Sequence, residues 1–187
     1  MKAENIVLHW KKYSALKRAV YNFSGSESRY MRTLTGNFTN NKIPLKNAPW
    51  NAPGTYRKKL QKNYNILMNR LYSRKVHTPV LYKGLSKNNA KSFLTSINLK
   101  KRGFLKNAYF YTRAPTSSTT NITQAMEFTN YKNPVILVLN RDKRHAIILG
   151  HHGIKSRHPR EREVILPPAK FVFNFKNNKG LYHVHLS

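Results

Sequence analysis

The amino-acid sequence predicts an α+β fold with helices first and short strands after them. Two observations predict it. Apolar residues recur at three- and four-residue steps only in the first part of the chain. After Thr78-Pro79 they gather instead into short runs rich in Val, Ile, Phe and Tyr. That order argues against alternating β-α-β units.

The elements follow in turn. Residues 4 to 23 read as a helix, with Ile6, Trp10, Tyr13, Leu16, Lys17, Val20 and Phe23 recurring at helical steps. Ser24-Gly25-Ser26 breaks the pattern, and Ser26 to Ser28 can cap a second helix carrying Tyr30, Met31 and Leu34. Residues 36 to 54 read as loop, with Asn40-Asn41, Pro44, Pro49 and Pro53. Tyr56 to about Tyr72 is a further helix, with Leu60, Tyr64, Leu67, Met68 and Leu71 on one face. Strands are predicted at Val80-Leu81-Tyr82, Val135–Leu139, Ala146–Leu149, Val164–Leu166, Phe171–Phe173 and Tyr182–Val184, and Phe104 to Tyr111 is rich in aromatics. No internal repeat is present. The 187 residues are expected to form one domain, mainly helical over 1–77 and mainly β over 78–187.

The charge is the outlier. Thirty-five Lys and Arg face six acids, a formal +29. With 40% hydrophobic residues the chain has enough for a core, so it is not a disordered basic tail. Self-repulsion on this scale weakens a compact state, which implies a polyanionic partner, nucleic acid being the usual one. The alternative is a merely solvated basic surface. Cysteine is absent, which excludes disulfides, zinc-cysteine sites and thiol nucleophiles. No stretch approaches the roughly 20 apolar residues of a membrane span. Lys11 and Lys12 interrupt the N-terminal apolar residues before a signal-peptide core is reached, so a cytoplasmic protein is expected.

Three motifs carry candidate chemistry. Arg160-Glu161-Arg162-Glu163 sets two of the six acids two residues apart, ahead of an apolar strand. On a strand such a pair shares a face. Taken alone, it could equally be surface ion pairs with Arg160 and Arg162. Leu81-Tyr82-Lys83-Gly84-Leu85 ends a strand with a cation that can pair with phosphate and a glycine that lets backbone approach closely. Thr116-Ser117-Ser118-Thr119-Thr120 is a hydroxyl cluster ahead of Ala125-Met126-Glu127-Phe128. The histidines show no ligand-like pairing beyond His151-His152, and neighbours on a strand point apart. No metal is expected.

In this order, cation, hydroxyl cluster and paired glutamates resemble the arginine-serine-glutamate class of mono-ADP-ribosyltransferases, which includes cholera-type and clostridial toxins and phage enzymes. The glutamates look like the Glu-x-Glu turn of that class, followed here by Val164-Ile165-Leu166-Pro167. The hydroxyl cluster looks like its Ser-Thr-Ser strand, and counting back from Ala125 places Ser117 on the first serine. Tyr21 to Leu34 resembles the helix pair that caps the NAD site. The chain departs from the class in having Lys83 where arginine is usual and Ser-Ser-Thr where Ser-Thr-Ser is usual. Lysine neutralises phosphate as a point charge, without arginine's bidentate fork.

The resemblance implies an ADP-ribosyltransferase-like split β-sandwich whose N-terminal helices cap a cleft for NAD+, consumed as substrate. It implies Glu163 as the carboxylate beside an oxocarbenium-like ribose, Ser117 as its orienter, and Glu161 as the group that positions the acceptor. Lys83, Gly84, Tyr82 and Ser117 would contact NAD+. Phe128 or Tyr131 could stack on nicotinamide, core packing being the other role open to them.

The acceptor divides the signals. A Glu-x-Glu form is associated in the class with arginine acceptors. The preceding loop, which contacts acceptors in the class, instead carries Lys155, Arg157, His158 and Arg160 with no acid before Glu161. That loop attracts a phosphate backbone and repels an arginine. Tyr56, Arg57, Lys58, Lys59, Lys62 and Arg70 add a basic helix surface. The expected acceptor is therefore single-stranded RNA or DNA. The alternatives are arginine on a nucleic-acid-associated protein such as RNA polymerase or a ribosomal protein, and a non-catalytic nucleic-acid-binding protein on the same fold. An enzyme of this kind harms its own cell, so an acidic antitoxin or inhibitor protein is an expected partner.

Overall fold

The computed structural model describes residues 3–23, 54–129, 133–150, 154, 160 and 162–187. The expected second helix at Tyr30, Met31 and Leu34 lies outside the described residues. Two 20-residue helices open the structure: α1, Ala3–Asn22, and α2, Gly54–Ser73. They pack on each other through the stripes their sequences carry. Leu16, Val20 and Phe23 meet Leu60, Leu67 and Leu71, all buried. Lys17, read as part of the α1 stripe, is exposed, with its ammonium 4.5 Å over the Tyr13 ring. Its long stem covers the helix surface while its charge stays in water.

The remaining elements are β1 (Lys75–Thr78), β2 (Leu81–Gly84), α3 (Lys87–Lys101), β3 (Tyr109–Thr112), β4 (Thr116–Thr119), α4 (Ile122–Glu127), β5 (Ile136–Leu139), β6 (Asp142–His145), β7 (Ile147–Ile148), β8 (Glu163–Leu166), β9 (Ala169–Lys176) and β10 (Tyr182–Leu186). The fold is α+β, as expected. Eight strands form one mixed sheet in the order β3-β9-β10-β5-β2-β4-β8-β7. Within it only β10 and β5 run parallel. The two halves of the expected split sheet meet at β2, where Tyr82 pairs with Val138 on one side and Thr119 on the other.

The β1–β6 ribbon and the helices α3 and α4 were not legible in advance. The ribbon of β1 and β6 pairs Lys75–Thr78 with His145–Asp142, and both strands are largely polar. Inside it Arg144 is buried and donates to Asn140 O, and burial pushes its guanidinium pKa down from the ordinary value. Helix α3 packs Ala90, Phe93 and Ile97 into the main core beside Leu137, Val164 and Phe171. Full burial of a side chain such as Phe93 stabilises by roughly 1.5–3 kcal/mol. Gly103, at φ +80°, ends α3: its N–H bonds Lys100 O and the next N–H, of Phe104, bonds Leu99 O.

The registers define two sheet faces, because paired residues point the same way and neighbours along a strand point oppositely. Ile165 lies on the face that α1 and α2 cover, together with Ile147. Val164 and Leu166 lie on the other, against the α3 core. Strand β8 is thus buried on both faces and joins the helical part to the sheet.

Candidate active site

Residue pairing brings Glu163 and Ser117 together across 46 residues of chain. Thr116–Thr119 runs antiparallel to Glu163–Leu166, with Thr119 opposite Glu163 and Ser117 opposite Ile165. These four share one face, which puts Ser117 diagonally across from Glu163. The Ser117 hydroxyl donates to Glu163 Oε1. Glu163 is only 4% exposed. A carboxylate withdrawn from water this far needs hydrogen-bond donors, and Ser117 supplies one.

Local backbone aims Glu163. Arg162 has φ 45°, and no other non-glycine described residue has positive φ. That conformation costs roughly 1–2 kcal/mol. Leu149 N–H bonds Glu163 O at 3.0 Å, and Thr120 N–H bonds Arg162 O at 3.3 Å, so both neighbouring strands hold the turn. Strand β8 starts at Glu163. Glu161 itself lies outside the described residues, as do Lys155, Arg157, His158, Tyr131 and His151-His152. Arg160 is exposed. Ile154 is buried in the helical core, and Gly150 N–H bonds its carbonyl at 2.7 Å, which anchors one point of this loop.

The hydroxyl cluster divides its work by strand alternation. Ser117 serves Glu163. Thr116 faces the other way and accepts from Lys83 Nζ at 2.5 Å, and the same ammonium donates to Ser117 O at 2.8 Å. Lys83 pairs with Leu137, on the core face opposite Glu163. Its contacts with Thr116 and Ser117 hold β4 from beneath the serine. Thr119 Oγ1 accepts from Asn121 N–H, and Asn121 Oδ1 accepts from Thr123 N–H, capping α4. Ser118 Oγ is buried without a partner among the described residues.

Gly84 does admit a close approach, and what approaches is α4. A Cβ there would collide with Ala125 O and lie 3.0 Å from Thr129 Cγ2. Phe128 ends α4 at 54% exposure, which removes core packing from its possible roles. Tyr82 is half-buried and lies on the Glu163 face. A cross-strand row on that face runs Phe175–His183–Val138–Tyr82–Thr119–Glu163. A cavity of about 630 Å³ opens over its far part, lined among others by Tyr82, Val138, Phe175 and His183. Sequence reading missed Phe175, His183 and the separate duties of Thr116 and Thr119. Only the alternation within the hydroxyl run hinted at the last.

No protein-family model matches the chain. No curated protein matches it either. Solved structures do. ADP-ribosyltransferase HopU1 of Pseudomonas syringae pv. tomato DC3000 superposes with TM-score 0.52 and 16% identity, over 92% of this chain and 76% of that one. C3stau2 from S. aureus, solved with NAD, gives 0.56 and 14%, over 93% and 87%. The enzymatic component C2-I of the Clostridium botulinum C2-toxin gives 0.57 and 14%, over 92% of this chain and 44% of that longer one. At these identities the likeness speaks for the fold, and the chain has the fold of the mono-ADP-ribosyltransferase toxins.

Proposed function

We propose that the chain transfers ADP-ribose from NAD+ to single-stranded nucleic acid. The observation that supports it best is the buried Glu163 carrying the Ser117 hydroxyl, on the fold shared with ADP-ribosyltransferases. In the proposed reaction the bond between ribose C1′ and the nicotinamide nitrogen breaks, and nicotinamide leaves with the electron pair. Positive charge develops on the ribose, and the Glu163 carboxylate stabilises it at close range in a site poor in water. An acceptor nucleophile then bonds C1′ and gives up its proton to solvent water.

Ser117 keeps the carboxylate oriented, which removes a reorganisation cost from the step. Lys83 fixes β4 beneath Ser117, so direct phosphate contact is the lesser part of its assignment. Tyr82, Gly84 and Phe128 border the Glu163 face and are assigned to NAD+ binding. Glu161 and the loop residues Lys155, Arg157, His158 and Arg160 are assigned to the acceptor.

The acceptor assignment rests on charge. Among the described residues Lys58, Lys59 and Lys62 on α2 and Lys87 and Lys91 on α3 are all exposed. Such a surface favours a phosphate backbone over a cationic side chain. The Glu161-x-Glu163 spacing favours a second reading, arginine on a nucleic-acid-associated protein. Lys83 in place of arginine keeps a third, nucleic-acid binding without turnover. An acidic inhibitor protein fits the same surface. No helix among the described residues is long and apolar enough to cross a membrane.

The test is labelled NAD+ added with the purified chain to whole-cell lysate, followed by nuclease or protease in parallel. Label that survives protease and disappears with nuclease is the expected result. The reverse pattern moves the assignment to a protein acceptor.

A further inference from the structure

The Glu163 face is covered unevenly. At β7 and β8 it lies under α1 and α2, and at β2 it meets α4. The half formed by β10, β9 and β3 has no described helix over it, since α3 packs on the opposite side. An uncovered sheet face normally turns polar outward. Here it turns aromatic. Tyr109 and Tyr111 project from edge strand β3 at 36% and 53% exposure. Both lie on the Glu163 face, because Phe110 between them points into the core. Phe175 projects from β9 at 53% exposure and stacks against His183, centroids 4.5 Å apart and planes 6° from parallel.

A local irregularity puts Phe175 there. Phe173 pairs with Val184 and Phe175 with His183, so two steps on β9 oppose one on β10. Without that bulge Phe175 would share the buried face of Phe173. Lys170 sits on the same face with its ammonium 4.3 Å over the Tyr109 ring. Lys176 and Lys179 line the adjoining cavity, with Asn177 and Asn178 between them. Asn177 Oδ1 accepts from the N–H groups of Lys179 and Leu181, which aims Asn177 Nδ2 at His183 Nε2, 3.2 Å away. The His183 ring is thereby fixed in orientation. Strands β2, β3, β5, β9 and β10 contain no Asp or Glu at all.

We propose that this open half-face is a stacking platform for single-stranded nucleic acid, leading along the sheet toward Glu163. Exposed rings offer π-faces to bases of any identity, and interleaved lysines take the phosphates. When a base takes the Tyr109 ring, the Lys170 ammonium is free to turn to the backbone. Rings on successive face positions of β3 stand about 7 Å apart, and five strand steps of about 4.8 Å separate Phe175 from Glu163. The platform therefore holds nucleotides flanking the one presented to the catalytic carboxylate. A protein partner or a second copy of the chain would meet the same rings, but the lack of acidic side chains in these strands and the surrounding lysines favour a polyanion. The proposal rests on the nucleic-acid reading of the acceptor.

The experiment uses the full chain with labelled single-stranded RNA and DNA of about 16 nucleotides, and a duplex of equal length. The combined variant Tyr109→Ala, Tyr111→Ala, Phe175→Ala is compared with wild type for binding, thermal stability, oligomeric state and nicotinamide release. The expected result is single-strand affinity reduced about 100-fold, with melting and nicotinamide release unchanged. Wild-type affinity in the variant overturns the platform, as does equal wild-type binding of duplex and single strand. A wild-type dimer that the variant disperses also overturns it, by making the face a self-interface. Nuclease-sensitive labelling that the variant retains in full, with undiminished binding, sinks the platform and leaves the acceptor reading standing. Protease-sensitive labelling with oligonucleotide binding lost in the variant does the opposite.

Discussion

The two halves of the sheet face that bears Glu163 share a backbone ladder and differ in almost everything else. Around β4 and β8 the face is enclosed, with a 4% exposed carboxylate held by a serine and helices on either side. Around β3, β9 and β10 it is open, aromatic and free of acidic side chains in its strands. Charge stabilisation of a ribosyl cation needs fixed dipoles and little water. Recognition of a flexible polyanion needs rings and cations that stay in reach of solvent. One sheet meets both demands because alternation lets the same strands bury one face under α3 and spend the other on function. The chain's few acids are consistent with this division. Placed on the open half, a carboxylate would repel the proposed ligand; withdrawn under helices, it is kept from it.

Substitutions can break or sharpen this contrast. The largest effect is expected from Glu163→Gln, which keeps the shape and removes the charge. Transfer should fall by about 10³-fold while oligonucleotide affinity is retained, and loss of binding with retained transfer would reverse the roles given to the two halves. Gly84→Ala should follow, since its Cβ meets the α4 backbone rather than a flexible side chain. A stability loss of about 3 kcal/mol in denaturant melts is expected, and an unchanged midpoint would mean that α4 is not seated against β2. Lys83→Met removes the donor to Thr116 Oγ1 and Ser117 O. It should lower stability by about 1–3 kcal/mol and transfer by roughly 10- to 10²-fold, through misplacement of Ser117. Were Lys83 only a phosphate contact, KM for NAD+ would rise with stability unaltered. The smallest effect on the fold is expected from Tyr111→Ala on the open half. Its melt should stay within about 0.5 kcal/mol of wild type, with single-strand affinity down about fivefold or more.

What could be read in advance followed how each element is stabilised. Helices α1 and α2, and strands β5 and β8, bury apolar side chains in patterns that local sequence displays. Helix α3 does not: Asn88, Asn89, Ser92, Thr95 and Asn98 dilute the three buried apolar positions. A fourth inward position is Ser96, satisfied within the helix by Phe93 O at 2.7 Å and across to β3 by Tyr109 O at 3.0 Å, the second a contact only the fold provides. The β1–β6 ribbon relies on backbone pairing between polar stretches. At the site, the order of motifs pointed to Ser117 and Glu163, which the register then joined. Which way Lys83 points depends on the pairing of β2 with β4 and β5, which no local pattern encodes. Phe175 faces the open side because of one register shift, so its role was equally hidden.

The account stands most directly on turnover of NAD+ by the purified wild-type chain. With NAD+ alone it should release nicotinamide slowly, and with lysate it should place the ADP-ribose label on an acceptor. A folded, oligonucleotide-binding wild-type preparation that releases no nicotinamide and labels nothing would contradict it, and would leave a nucleic-acid-binding protein on an enzyme's fold.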